Sequence, residues 1–136
     1  MKNDRKNIIL QSLANLLEER NMSKVTTALL AEKSKITEAA LYRHFPSKRA
    51  IYAELFSFCD DAIFAKCSEL KKSKITSKEK TKNAFLFFMI FIEKNKGFAR
   101  LLSREALSSD EQNVSDSVNQ FYERFEFTLG GSFSLF

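Results

Sequence analysis

Three properties of the sequence predict an all-α fold. The chain of 136 residues contains one proline and three glycines, far fewer than the turns of sandwiches and barrels require. Its apolar fraction of 44% is ordinary for a folded protein. Apolar residues also recur at helical spacing along much of the chain. We therefore expect either one small helical domain or a small head joined to a larger helical body.

The N-terminal region predicts two helices. An apolar stripe from Ile9 to Leu17 predicts an amphipathic helix over residues 4–20. Thr26 or Thr27 has the side chain needed to cap a second, short helix.

A third helix, over residues 38–45, is predicted to follow a tight turn and to be capped by Thr37. Pro46 ends this helix, and Ser47 caps a fourth one that continues to about residue 70.

Residues 71–82 are rich in lysine and predict a solvated connection. Within it, Thr76 and Glu79 have the spacing of a capping box that starts a fifth helix. That helix is apolar on nearly all sides, so we expect it to be the buried centre of the body.

The last helix is predicted to begin at a second capping box, Ser108 and Glu111, and to continue to Leu129. The final seven residues, GGSFSLF, have no helical pattern. Thirteen of the fourteen phenylalanines lie after residue 50, which predicts an aromatic core or, alternatively, an aromatic-lined ligand pocket.

Several classes of function are disfavoured. Cys59 and Cys67 lie eight residues apart on one predicted helix, about 12 Å along its axis, so we expect reduced core thiols. With one histidine in the chain we expect no metal site, no cofactor and no enzymatic activity. The polar N-terminus and the shortness of the apolar runs predict a soluble, cytoplasmic protein.

The positive charge is concentrated at one end of the sequence. The net charge is +5, and residues 1–50 alone hold ten basic and five acidic residues. The remaining residues therefore balance to zero. A basic head of this kind is typical of a surface that faces nucleic-acid phosphates.

Val25–Lys48, VTTALLAEKSKITEAALYRHFPSK, resembles the DNA-binding head of the TetR family of transcription regulators. Thr27, the pair Leu30-Ala31 and the run Leu41–Lys48 carry the resemblance. It implies a TetR-like fold, with a helix-turn-helix domain over residues 1–47 and a helical dimerisation and partner-binding body over residues 48–136.

In such a head, the N-terminal residues of the third helix reach base edges in the major groove, and flanking residues contact phosphates. Alanines let this helix approach closely, Glu38 can accept from cytosine, and Arg43 can reach either guanine or phosphate. The expected DNA-binding residues are Thr26, Thr27, Thr37, Glu38, Ala39, Ala40, Tyr42, Arg43, His44 and Lys48. The chain departs from the family at Lys35, where these heads usually have glycine. A left-handed turn there would strain lysine by about 1–2 kcal/mol.

Three further segments, ILQSLANLLE (9–18), FIEKNKGFARLL (91–102) and NQFYERFE (119–126), resemble the nucleoid occlusion factors, a branch of this family. These proteins bind palindromic DNA as dimers over the nucleoid and antagonise polymers of the division protein FtsZ. The resemblance implies that the FtsZ C-terminal tail lies in a basic, apolar groove beside the fourth and fifth helices. The matching positions are Phe58, Lys66, Phe87, Lys94 and Asn95.

The resemblance fades near Leu129, before the helices that form the dimer interface in this branch, so dimerisation is in doubt. Exposed Phe127, Phe133 and Phe136 would offer a substitute interface. Two alternatives remain open: a repressor with an effector cavity among phenylalanines of the body (Phe85, Phe88 and Phe91), and a remnant interaction protein that does not dimerise.

Overall fold

The computed structural model describes residues 2–19, 25–105, 107 and 111–133. Within these ranges the chain forms seven α-helices, a short π-helical segment and no strand, which confirms the all-α class. The elements are α1 (Lys2–Glu18), α2 (Thr27–Lys33), α3 (Glu38–His44), α4 (Lys48–Lys72), α5 (Ser77–Lys94), α6 (Lys96–Leu102), α7 (Gln112–Phe127) and the π-helical turn (Thr128–Ser132).

Four predicted caps start helices where the sequence places them. Each hydroxyl accepts a hydrogen bond of 3.1–3.2 Å from the backbone N–H three residues further on, at one of the free donors of a helix start. The four caps are Thr26, Thr37, Ser47 and Thr76.

The fifth predicted cap is different. Ser108 lies outside the described residues, and Glu111 makes no side-chain cap hydrogen bond before α7. The side chain of Glu111 is buried, and its Oε1 lies 3.3 Å from Nζ of Lys48.

The core is built around α4, which buries nine side chains. Phe121 of α7 lies at the centre of an aromatic cluster, with ring centres 5.5–6.3 Å from those of Phe56, Phe64 and Phe98. Such tilted and edge-to-face arrangements are favourable between aromatic rings. The Phe-rich half of the chain is therefore largely core.

The prediction that α5 is the buried centre of the body is wrong. Only Lys80 and Ala84 of this helix are fully buried. Described elements cover part of its circumference: α4, α6 and the π-helical turn pack against it, and Phe88 contacts Phe121 and Phe125 of α7. Its remaining face, which includes Phe85 and Met89, is exposed.

The predicted solvated connection over residues 71–82 is also mostly helical. Only residues 73–76 join α4 to α5. Lys80 is buried because its ammonium donates a 2.8 Å hydrogen bond to the carbonyl of Lys71, which lets its alkyl stem lie against apolar neighbours.

The C-terminal region is helical to Ser132, although the final residues have no helical sequence pattern. The π-helical turn follows α7 directly, and hydroxyls of α5 hold it: Ser77 donates to the carbonyl of Phe133 at 2.6 Å, and Thr81 to that of Leu129 at 3.2 Å. Phe133 is consequently buried, against the prediction, whereas Phe127 is exposed as expected. Phe136 lies outside the described residues.

Both cysteines are buried free thiols, as predicted. Burial raises the pKa of the Cys59 thiol to about 12, and the neighbouring Asp60 adds to the shift. In the part of the chain that the structure describes, no helix combines the length and apolar character that crossing a membrane requires.

Candidate nucleic-acid interface

The turn between α2 and α3 has the left-handed geometry that the sequence suggested. Lys35 has φ 59°, and its N–H donates to the carbonyl of Glu32 at 3.1 Å. The N–H of Ile36 donates to the carbonyl of Ala31 at 3.0 Å. These two bonds form a Schellman motif, which ends α2 at this turn before α3 begins.

The first turn of α3 points its short side chains outward. Thr37, Glu38 and Ala39 are exposed and Ala40 is half-buried, while Leu41 behind them is completely buried. Arg43 is exposed one turn beyond Ala39, on the same face. The fold thus brings the predicted base-reading residues onto one accessible surface.

A small hydrogen-bond network joins α2 to this surface. The hydroxyl of Thr27 donates to Oε2 of Glu38 at 3.1 Å, and the hydroxyl of Tyr42 donates to Oγ1 of Thr27 at 3.3 Å. One Glu38 oxygen is therefore engaged within the protein.

The residues predicted to contact phosphates differ in how exposed they are. Thr26, Tyr42 and Arg43 are exposed, whereas His44 is half-buried. Lys48 points back toward the body: its ammonium lies beside buried Glu111 and 5.5 Å from the ring centre of Tyr52. Burial raises the pKa of the Tyr52 hydroxyl above its usual range, with Glu111 adding and Arg100 opposing. A phosphate contact of Lys48 would therefore compete with its ion pair to Glu111.

Two clusters along the α4–α5 seam hold the five predicted groove residues. Phe58, Lys94 and Asn95 border a cleft of about 210 Å³. Two turns along α4, the ammonium of Lys66 lies 5.9 Å from the ring centre of Phe87. Because α4 and α5 run antiparallel, the clusters lie at successive levels of one seam, about 12 Å apart.

Phe58 is 65% exposed although it belongs to the helix at the centre of the core. An aromatic ring held in solvent beside a cleft is available for an apolar ligand group. Asn95 differs, since its side-chain amide donates to the carbonyl of Phe91 at 2.8 Å and so helps to close the end of α5.

The contribution of α1 to this cleft was not predicted from the sequence. Asn7 and Gln11, one turn apart on α1, line it opposite Phe58 and Lys94. Their spacing marks a polar face of an amphipathic helix, which does not distinguish a cleft wall from an ordinary solvated surface. Glu111 was missed as the partner of Lys48 because the two residues are far apart in sequence.

Two kinds of site can be checked among the described residues: a metal site, and an effector cavity among Phe85, Phe88 and Phe91. Among them, no three His, Cys, Asp or Glu side chains meet in a way that could hold a metal ion. Phe85 faces solvent, while Phe88 contacts Phe121 and Phe91 contacts Phe98, with ring centres 5.8 Å apart in each pair. These three phenylalanines therefore do not enclose a common cavity.

A tight turn between two short capped helices, with an accessible α3, defines a helix-turn-helix protein. Residues 9–55 match the family described as bacterial regulatory proteins, tetR family. The chain belongs to this TetR family.

The chain is also similar to curated proteins named nucleoid occlusion factor SlmA. It is 35% identical over 129 residues to the one from Vibrio vulnificus, covering 94% of this chain and 66% of the relative. It is 34% identical over 125 residues to that of Marinobacter nauticus, covering 92% and 64%. The chain thus spans just under two thirds of the length of these relatives.

Proposed function

We propose that this chain is a nucleoid occlusion factor, which binds a palindromic DNA site through α3 and inhibits cell division over the nucleoid. The similarity to SlmA proteins along nearly the whole chain supports this proposal. The observation that carries the DNA-binding part of the proposal is the accessible first turn of α3. Its small side chains are exposed, while Leu41 behind them is buried and anchors the helix.

The proposed contact is the insertion of α3 into the major groove. Ala39 and Ala40 allow close approach and offer methyl groups to thymine, while the free oxygen of Glu38 accepts from a cytosine amino group. Thr26, at the start of α2, and Tyr42, in the last turn of α3, would fix the head on phosphates. Arg43, on the exposed face, contributes either to base reading or to phosphate binding.

DNA binding is tested with a duplex that carries the palindromic site of an SlmA relative and with a scrambled duplex of the same composition. Ala39→Asp places a carboxylate in the contact, so we expect loss of the preference between the duplexes. Ala65→Asp, on the exposed face of α4, is the matched control and should leave the preference intact. A chain that binds both duplexes equally before any substitution contradicts the proposal.

Arg43 is assigned by two substitutions. Lysine retains a charge for phosphate but lacks the two-pronged donor geometry that reads guanine. If Arg43 reads a base, Arg43→Lys and Arg43→Ala should both reduce the preference for the site, by about 1–3 kcal/mol of discrimination. If Arg43 contacts phosphate, Arg43→Lys should bind like the parent chain.

The proposed partner on the body is the acidic, apolar C-terminal tail of FtsZ, which would lie along the α4–α5 seam. Phe58 supplies exposed aromatic surface at one level, and Lys66 and Lys94 supply positive charge. Such a groove suits a peptide that alternates apolar and acidic groups. The proposed localisation follows from the two partners: the cytoplasm, at the nucleoid.

A labelled FtsZ tail peptide tests this site by fluorescence anisotropy, with and without the palindromic duplex. Lys66→Glu reverses a groove charge, and we expect peptide binding to weaken. Lys72→Glu makes the same change in the exposed last turn of α4, away from the groove, and should have no effect. Equal responses of the two variants would remove Lys66 from the peptide site.

A further inference from the structure

The turn between α2 and α3 places a lysine where the backbone favours glycine. Lys35 has φ 59°, in the left-handed region that is costly for any residue with a β-carbon. The hydrogen bonds that hold this turn join backbone groups, from Lys35 to Glu32 and from Ile36 to Ala31. Glycine would form the same bonds without the strain. Strain that the fold does not require points to a function of the side chain.

The side chain of Lys35 is exposed, although its two neighbours in the chain face inward. Ser34 is buried and Ile36 is half-buried. Glu32 is the nearest acidic residue earlier in the sequence, but no described carboxylate forms an ion pair with the ammonium of Lys35. The charge is therefore available to a group outside the chain.

This charge lies at the start of the surface that is proposed to enter the major groove. Thr37, the cap of α3, is two residues further on, and two residues span at most about 7 Å. The major groove is about 12 Å wide, and phosphates border it on both sides. A lysine at the entrance of α3, with its flexible four-carbon stem, can therefore reach the phosphates at that border.

The first turn of α3 also needs a positive charge if it is to approach DNA. Glu38 brings a carboxylate to a surface that faces phosphates, and like charges repel. The other exposed side chains of this turn, Thr37 and Ala39, are uncharged. Lys35 is the nearest basic residue to Glu38 in the sequence, three positions before it, whereas Arg43 lies five positions after it. Lys35 is thus placed to offset the charge of Glu38.

We propose that Lys35 is a further DNA-binding residue, whose ammonium donates to a phosphate oxygen at the border of the groove beside the start of α3. This inference rests on the proposed insertion of α3 into the major groove. It makes position 35 a compromise: glycine there gives the more stable chain, and lysine gives the tighter DNA complex.

Anisotropy titrations at several salt concentrations, on the palindromic and the scrambled duplex, test the contact. Lys35→Gln removes the charge and keeps the β-carbon. We expect its salt slope to be shallower by about 1 for each bound head, with equal weakening on both duplexes, because a phosphate contact carries no sequence information. Lys35→Arg keeps the charge and should bind like the parent chain. Lys78→Gln, at an exposed lysine in the first turn of α5, is the matched control and should change nothing.

Lys35→Gly distinguishes the proposed contact from a purely structural role. Its midpoint of urea denaturation should rise, because the left-handed strain is relieved. Its salt slope should nevertheless become as shallow as that of Lys35→Gln. A residue that served only the fold would not weaken DNA binding when its replacement makes the chain more stable.

Three results overturn the inference: salt slopes of Lys35→Gln and Lys35→Gly equal to that of the parent chain, binding by Lys35→Arg as weak as by Lys35→Gln, or loss of the preference between the duplexes in Lys35→Gln, which would indicate a base contact. A parent chain without that preference contradicts the proposed function alone, because the slopes still report on Lys35 with either duplex. A parent chain that binds neither duplex overturns both.

Discussion

Lys35 occupies a left-handed position in the turn that sets α2 against α3, and it is exposed there. A β-carbon makes this conformation costly, and only the surrounding hydrogen bonds enforce it. The residue combines local strain with a positive charge at the edge of the proposed DNA contact.

Replacing Lys35 with glycine should therefore stabilise the chain. Relief of the strain, about 1–2 kcal/mol, exceeds the entropic cost of glycine, so we expect a net gain of roughly 0.5–1 kcal/mol in the free energy of unfolding. Urea denaturation measures it. Lys33→Gly, two residues earlier within α2, should instead lose about 1 kcal/mol. Equal losses for both variants would contradict the strain at Lys35.

Asp60 makes the free energy of unfolding depend on pH. Burial raises the pKa of its carboxyl above the ordinary 3.8; Arg124 opposes the shift and Asp61 adds to it. The folded state then holds the proton more tightly than the unfolded state does. The contribution of Asp60 to stability is thus present below its ordinary pKa and is lost as pH rises through the raised value.

Asp60→Asn should remove this downward slope from a plot of unfolding free energy against pH, measured by urea denaturation from about pH 4 to 7. Asp116→Asn, an exposed carboxylate of α7, is the control and should retain the slope. Parallel curves for the parent chain and Asp60→Asn would contradict the assignment.

At the scale of elements, the backbones of α1 and α6 approach closely at Gly97. A β-carbon built on Gly97 would lie 2.7 Å from the carbonyl oxygen of Ala14. Arg100 reinforces this seam by donating to the carbonyls of Leu17 and Glu19 at 2.6 and 3.0 Å. These contacts fix the angle between the head, to which α1 belongs, and the body.

Gly97→Ala should destabilise the chain by about 1–3 kcal/mol, because two backbones must separate to admit one methyl group. Thermal or urea unfolding measures the loss. Gly130→Ala is the control: its added β-carbon meets nothing within 4 Å, so we expect no loss and a gain of up to about 1 kcal/mol. A tolerated Gly97→Ala would show that the seam can relax.

The helices of the head could be predicted from sequence because local chemistry decides them. Thr26, Thr37 and Ser47 each act on a backbone N–H three residues away, and a short window contains both partners. The surroundings of α5 could not be predicted in this way. Its apolar residues identify a helix with a large hydrophobic surface, but the fraction covered depends on where distant elements pack.

The candidate site likewise has a part that local sequence predicts and a part that depends on distant residues. The proposed base-reading surface follows from the cap at Thr37 and the buried Leu41, which are local features of α3. The pairing of Lys48 with Glu111 joins residues 63 positions apart, and nothing in the sequence near Lys48 indicates its partner. The boundary at residue 47 and the individual DNA and FtsZ contacts stay predictions.

At the scale of the whole molecule, the positive excess lies within the first fifty residues and the body is balanced. Lys48 and Lys72 occupy opposite ends of α4, about 36 Å apart, and therefore sample the two regions. Their contributions to DNA binding should differ accordingly.

We expect the logarithm of the DNA-binding constant to fall linearly with the logarithm of salt concentration, since phosphate contacts release counterions. Lys48→Gln should make that slope shallower by about 1 for each bound head if its ammonium reaches a phosphate. Lys72→Gln should leave the slope unchanged. Anisotropy titrations at several salt concentrations measure both, and equal slopes for the two variants would remove Lys48 from the phosphate contacts.

If the proposed contact of Lys48 with DNA forms, its ion pair with Glu111 would couple DNA binding to partner binding at the body. A phosphate bound to Lys48 would draw its ammonium away from the buried carboxylate of Glu111. Glu111 immediately precedes α7. Helix α7 packs on α4 and continues into the π-helical turn, which Thr81 of α5 holds by a hydrogen bond. DNA bound at Lys48 would therefore affect the helices of the body. Linkage is reciprocal: any factor by which DNA alters the affinity of the body for a partner is the factor by which that partner alters the affinity for DNA.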